Sequence, residues 1–347
     1  MLKPSTKGLF VELSEYSLLA ARTSRLKPPF TIEAVEECTL TDDKQIDNWL
    51  GNFMGLNKGQ FCIGVCGVYP PNRLIRRASL ENPARAKDPA FLPDYLKQQF
   101  KVDVATHSVA VLNAAGGSEF NITKGFSREL VFCGAPTSEF QTLQDRLVSF
   151  GIYPERIELS TVSLLGGLVS YSELKERTAP TMVLEIASEN AQVLIYQGNQ
   201  LDVARPIPYG LNSMYPIVQK ELGLKDEASA RKLFTSNTFD FTEMGGVLLK
   251  KLLKELQAST GFYEVQTGQT IGEIFLSLLP DNLNWIGSTL SRTLGVDVLV
   301  PEYGDWLQSH SIEVSDSVDL LNLGSRWFGL FSLMGNFNEN IEHNKKK

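Results

Sequence analysis

The sequence predicts an α/β chain of two related lobes, each built on an antiparallel strand meander and each interrupted by an insert. Two observations carry that prediction. Residues 181–210, TMVLEIASENAQVLIYQGNQLDVARPIPYG, read as strand, tight turn, strand, turn, strand. Residues 183–187 are apolar around one acid, Glu185, and Ser188-Glu189-Asn190 and Gln197-Gly198-Asn199 supply the turns. Short β-rich runs bounded by Gly, Asn and Ser are the pattern of hairpins. The same plan stands near the N-terminus. There GLFVELSEYSLLAARTSRLKPPFTIEAVEECTL sets an apolar strand around Glu12, a polar turn at Ser14-Glu15-Tyr16 and two further strands. A unit that recurs once, after roughly 170 residues, means two related lobes rather than a solenoid.

In lobe one, residues 1–179, the meander is followed by residues 42–54, with Ile46, Trp49, Leu50 and Phe53 at helical spacing and Gly55 just beyond. Residues 60–69, QFCIGVCGVY, form a short apolar run suited to the middle of a sheet. Pro70-Pro71 opens a basic stretch, Arg73, Arg76, Arg77, Arg85 and Lys87. A helix over 91–100, a strand over 105–112, a Gly116-Gly117 turn and a strand over 129–133 follow. Residues 137–150 read as a capped helix with Phe140, Leu143, Leu147 and Phe150 inward, ended by Gly151. Residues 73–149 are thus expected to be a small α/β insert, and a helix over 160–175 closes the lobe.

Lobe two spans 180–335. After its hairpins, residues 211–222 are helical up to Gly223, and Asp226 caps a second helix through Phe234. Residues 247–263 align Leu248, Leu249, Leu252, Leu253 and Leu256, with Lys250, Lys251, Lys254 and Glu255 opposite: an amphipathic helix. Residues 213–261 make a mostly helical insert. A strand over 273–278, a loop at Leu279-Pro280-Asp281-Asn282, a helix over 283–294 stopped by Gly295 and a strand over 297–300 complete the lobe. Residues 336–347 are a polar tail.

The 347 residues suffice for two cores, and 43% hydrophobic with 21% charged residues is ordinary for a globular protein. A net charge of −7 argues against nucleic acid as a partner, because phosphate binding needs a concentrated basic face. Cys38, Cys62, Cys66 and Cys133 show no secreted-framework spacing, so a reducing compartment is expected. No signal-peptide plan opens the chain and no run reaches about 18 apolar residues. No phosphate-loop, dinucleotide or nucleophile-elbow motif occurs, and the histidines are too few and scattered for a nucleophile–base pair. Cys62 and Cys66 share one strand face without further ligands at metal spacing, which makes them core residues rather than a metal site.

The plan of two meander lobes with inserts resembles the actin/Hsp70/sugar-kinase superfamily, whose lobes are duplicated RNase-H-like domains. In detail the chain resembles one branch, the type IV pilus assembly protein PilM family, a relative of FtsA. The residues that carry the likeness run the whole length: FCIGVCGVYPPNRLIRRASL at 61–80, the helix-Gly-x-x-Pro-strand segment at 137–159, LGLKDEASARKL at 222–233, and Ser259, Phe262, Tyr263 and Gln266 before the strand at 273–278.

In that superfamily nucleotide is held by three loops, and all three depart from the pattern here. The first has Asp, an apolar residue, Gly and Ser/Thr; this chain has Glu12-Leu13-Ser14-Glu15-Tyr16. In the second, Asp and Gly become Glu185 and Ala187, followed by Ser188-Glu189. In the third, a glycine pair becomes Leu278-Leu279, followed by Pro280. Glycines at such loops present bare N–H groups to anions and tolerate positive φ, so their loss is expected to cost that geometry. Glu15 and Glu189 add negative charge where phosphates would lie. A like-charge contact at about 4 Å costs on the order of 4 kcal/mol at a surface-like dielectric. Glu12 and Glu185 either replace the family aspartates and orient Mg²⁺-bound water across a cleft, or are strand-end acids that accept hydrogen bonds from neighbouring turns. Loss of the glycines from all three loops favours the second.

The resemblance therefore implies a pseudo-ATPase with no catalytic residues, no metal and no cofactor: a cytoplasmic scaffold of a type IV pilus or type II secretion-like machine. It implies a PilN-like inner-membrane partner whose short cytoplasmic peptide docks beside the insert, with Arg73, Arg76 and Arg77 as candidate contacts, and attachment to the membrane only through that partner. Self-association is left open. An ATP/Mg-binding actin-like ATPase and an FtsA-like division protein are the alternatives. The second fits less well, because the tail has Lys345–Lys347 but almost no apolar face.

Overall fold

The structure, a computed structural model, describes residues 3–335 apart from 28, 41–42, 58–59, 122–127 and 237; the tail at 336–347 lies outside the described residues. The chain forms two compact units. The first holds residues up to 176 with 302–323 and the segment from 327; the second holds 177–301 with 324–326.

In the first unit β1 (Gly8–Leu13), β2 (Ser17–Thr23) and β3 (Phe30–Thr39) form the antiparallel meander. Every residue of β1 is buried, as expected of a strand covered on both faces. Helix α1 (Asp43–Met54) places Ile46, Leu50 and Phe53 against that sheet, and Gly55 takes the left-handed conformation that ends it. Strand β4 (Gln60–Val68) then runs parallel to β1. The insert follows, with β5 (Leu74–Ser79), β6 (His107–Asn113) and β7 (Glu129–Pro136) as a three-stranded antiparallel sheet with β7 in the middle. Helix α2 (Thr137–Ser149) leads to β8 (Ile152–Leu159), parallel to β4, and α3 (Ser160–Leu174) ends this stretch. The main sheet thus has the order β8-β4-β1-β2-β3.

The second unit repeats it. Strands β9 (Thr181–Ile186), β10 (Ala191–Gln197) and β11 (Gln200–Ile207) form the meander, and β12 (Glu273–Ser277) and β13 (Asp297–Val298) extend it in parallel. The order β11-β10-β9-β12-β13 matches β3-β2-β1-β4-β8 strand for strand. Between β11 and β12 lie α4 (Tyr215–Glu221), α5 (Glu227–Thr235), a short helix Gly245–Leu248 and α6 (Lys250–Thr267). Asp226 caps α5 through the Ser229 N–H at 2.8 Å. The single helix expected over 247–263 is broken at Leu249, yet Leu248, Leu249, Leu252, Leu253 and Leu256 are all buried. Helix α7 (Trp285–Leu294) joins β12 to β13.

Two boundaries and one helix cap differ from the sequence expectation. The helix assigned to the insert, α2, packs Phe140, Leu143 and Leu147 with Leu9, Val11, Cys62 and Ile152 in the core of lobe one. The insert has its own core, Leu74, Leu80, Leu96, Val102, Leu130 and Phe132, and ends with β7. Nor does a side chain cap α2. Pro136 holds the cap position, and Glu139 instead accepts from the Asn72 N–H at 3.1 Å and Nδ2 at 2.6 Å, tying the entry of the insert to α2. Finally, the segment after 301, assigned to lobe two, largely belongs to the first unit. There α8 (Tyr303–Ser309) stacks Trp306 on Phe328, and β14 (Ile312–Val314) adds to the outer edge of β3 at Phe30–Ile32. Residues 328–335 form a helix whose Phe328, Leu330, Phe331, Leu333 and Met334 are buried.

Candidate functional site

Glu12 and Glu185 hold the same place in their sheets, the penultimate residue of the first strand. Glu12 is only 5% exposed; its Oε1 accepts from the Tyr69 hydroxyl at 3.2 Å. Gly329, in the helix at 328–335, lies so close that a Cβ there would overlap the carboxylate. Tyr303 is buried nearby, and that burial, reinforced by Glu12 and then Tyr171, holds its hydroxyl well above the usual phenol range. The acid of the first strand is thus enclosed among side chains of its own unit.

The turn after β1 is closed upon itself. Ser14 Oγ accepts from the Tyr16 N–H at 3.2 Å and the Ser17 N–H at 3.1 Å, and donates to Ser17 O at 3.0 Å; the Ser14 N–H also donates to Ser17 O. A serine hydroxyl therefore occupies two backbone N–H groups of this turn. Glu15 is exposed at the tip.

In the second unit Glu185 is fully buried and lies level with Gln192 on β10 and Ser277 on β12, both buried, so a polar row crosses three adjacent strands. The Ala187 N–H donates to Asn190 O at 2.9 Å. The Leu211 and Asn212 N–H groups donate to the Ala187 and Ser188 carbonyls at 3.0 and 2.9 Å. Glu189 is exposed and accepts from Asn212 Nδ2 at 2.5 Å. Gly210 packs on the same carbonyls, where no Cβ fits. In the third loop Leu279 is buried and Leu278 has φ +67°. The expected loss of glycine geometry does not occur at Leu278, whose backbone takes a left-handed conformation that glycine favours.

The three arginines at the insert separate. Arg73 lies over the Tyr69 ring at 5.6 Å, one step from Glu12. Arg76 stands opposite Phe132, on the face covered by the helical run of residues 91–100; half-buried, it has its guanidinium pKa lowered by that burial. Arg77 is on the other face and pairs with Glu129 at 2.7 Å. Arg205, on β11, is engaged with Glu255.

One contact had no sequence signal. His310 Nε2 is 2.9 Å from Ser170 Oγ, which also accepts from Trp306 Nε1, across 140 residues of chain. The pair docks α8 on α3. Among the described residues no cluster of His, Cys, Asp and Glu could hold a metal ion, and no helix is long and apolar enough to cross a membrane.

No protein-family model matches the sequence, and no curated protein matches it. Solved structures do. A chain of the PilM-PilN type IV pilus biogenesis complex is similar with a TM-score of 0.68 and 14% identity, over 96% of this chain and 99% of that one. The ethanolamine utilization protein EutJ from Carboxydothermus hydrogenoformans gives 0.45 and 8%, over 96% and 91%. The cytoplasmic domain of EpsL, an inner membrane component of the type II secretion system of Vibrio cholerae, gives 0.40 and 10%, over 95% and 94%. Two sheets of identical strand order, each with an insert before its fourth or fifth strand, match the expected duplication of RNase-H-like domains. The chain has the actin-like ATPase fold, in a form similar over almost its whole length to the chain from the PilM-PilN complex.

Proposed function

We propose that the chain is a non-catalytic scaffold of a type IV pilus or type II secretion-like machine, which binds the cytoplasmic tail of a PilN-like inner-membrane protein beside its insert. The observation that carries the loss of catalysis is the Ser14 hydroxyl bonded to the Tyr16 and Ser17 N–H groups, because it fills the anion-binding turn from within. The enclosure of Glu12 by Tyr69 and Gly329 supports the same reading. The likeness to a chain of the PilM-PilN complex supports the partner class. On this reading Arg73 is the first contact to test, since it rests on Tyr69 at the entry of the insert.

Calorimetry with a synthetic peptide of the PilN-like tail tests it. Saturable binding, weakened at least tenfold by Arg73→Glu in a protein of unchanged thermal midpoint, is the expected result. An unaffected Kd would remove Arg73 from the site, and no heat with any such tail would remove the scaffold reading. A second reading, an ATP-binding member, is favoured by one observation: the left-handed backbone at Leu278 is still the one a glycine would take.

A further inference from the structure

Among the described residues the insert's β5 is an edge strand, hydrogen-bonded only to β7. Which of its backbone groups face outward follows from two flanking bonds. The Leu80 N–H donates to Arg128 O at 2.7 Å, which continues the hydrogen-bonded pairs Leu74–Gly134, Arg76–Phe132 and Ala78–Leu130. On the far side of β7, the Ala114 N–H donates to Glu129 O at 3.0 Å and turns the odd-numbered residues of β7 toward β6. Hydrogen-bonded pairs alternate along an antiparallel ladder, so Ile75, Arg77 and Ser79 direct their N–H and C=O groups away from the sheet. Ile75 is buried and its carbonyl accepts from Arg76 Nη1 at 3.0 Å. The outward groups of Arg77 and Ser79 have no partner among the described residues, and the strand becomes more exposed toward Ser79.

The chemistry beside this edge is cationic and apolar. Arg76 shares its face with Phe132, whose ring stacks with Tyr95 at 5.8 Å and meets Phe100 at 5.7 Å, both half-exposed. No carboxylate pairs with Arg76 among the described residues; the one side-chain hydrogen bond it makes there is to its own strand. Arg128, at the strand's end, is exposed and also has no carboxylate partner there. A half-buried guanidinium beside open backbone donors and acceptors is complementary to an extended peptide bearing a carboxylate.

We propose that the outer edge of β5, over Arg77–Ser79, is a strand-addition site for an extended acidic segment of a partner protein, with its carboxylate beside Arg76 and an apolar residue two positions away toward Tyr95 and Phe100. The proposal does not rest on the function proposed above, and its test uses other ligands.

Fluorescein-labelled eight-residue peptides of alternating Thr and Val, with a central Glu, Gln or Lys, are titrated with the full chain by fluorescence polarisation. The Glu peptide is expected to bind about tenfold tighter than the Gln peptide, and the Lys peptide not at all. Arg76→Gln should erase the preference for Glu. Arg77→Pro removes an outward N–H without touching the ladder to β7 and should abolish all binding, whereas Arg77→Gln should not. Hydrogen exchange should slow at Arg77 and Ser79 when the Glu peptide is present. No saturable binding by the Glu peptide, or equal binding in Arg77→Pro, overturns the proposal. So does a concentration-dependent dimer lost in Arg77→Pro, which would assign the edge to a second copy of the chain.

Discussion

Glu12 and Gly329 touch: the glycine backbone, 317 positions along the chain, packs on the buried carboxylate with no room for a Cβ. Replacing a helical glycine by alanine ordinarily gains up to about 1 kcal/mol. Gly329→Ala should do the reverse, because the methyl must displace a buried acid bonded to Tyr69. A loss of about 2 kcal/mol or more is expected from overpacking and a broken buried hydrogen bond. Thermal midpoints of Gly329→Ala, Glu12→Ser and the double variant check this. The shorter serine should rescue much of the alanine defect; strictly additive losses would mean the two do not meet in solution.

Mg-ATP is expected to give no saturable heat by calorimetry, as follows from the self-bonded turn at Ser14. Glycine at Ser14, Ala187, Leu278 and Leu279 together should still not yield hydrolysis, since Glu15 and Glu189 remain at the exposed tips of their turns. Micromolar ATP affinity in the unaltered protein would refute the pseudo-ATPase reading at once.

The meanders were legible because burial on both faces leaves apolar runs, and because Ser, Asn and Gly mark each reversal between β9 and β11. The return of the chain after 301 to the first unit was not. Strand β14 is three residues long and pairs with a strand some 280 positions earlier, and no local pattern encodes that register. The boundary of the insert failed for a related reason: α2 has a helical apolar face, but its periodicity does not say which of two cores the face meets. At the candidate site the residue types were readable, while the enclosure of Glu12 was not, for it depends on Tyr69, Tyr303 and Gly329 converging from three distant segments.

Thiol reactivity should separate the four cysteines. Burial pushes Cys62 and Cys133 up to about 12 and Cys66 higher still. Cys38 is half-buried, and is raised by that burial and then by Glu37 and Glu36. A disulfide reagent at pH 8 should therefore modify one thiol slowly in the native protein and four after denaturation. Raised thiol pKa values mean that the folded state holds more protons than the unfolded one between about pH 9 and 12. The stability they contribute is present below pH 9 and lost as pH rises through that window. Rapid native reaction of two or more thiols would contradict the buried placement.

Leu278 and Leu279 are adjacent leucines that should respond unequally to glycine. Leu279 is buried, and its truncation removes core contacts worth about 2–5 kcal/mol. Leu278 is only half-buried and has φ +67°, a conformation that costs a residue with a Cβ about 1–2 kcal/mol. Leu278→Gly relieves that cost while giving up part of an apolar side chain and adding about 0.5–1 kcal/mol of unfolded-state freedom. The balance should leave the thermal midpoint nearly unchanged, against a clear drop for Leu279→Gly. Equal drops would show that Leu278 bears core packing and that its backbone conformation is incidental. Near-neutrality would show that the third loop still holds the shape of a glycine turn. ATP binding should nonetheless stay absent in Leu278→Gly.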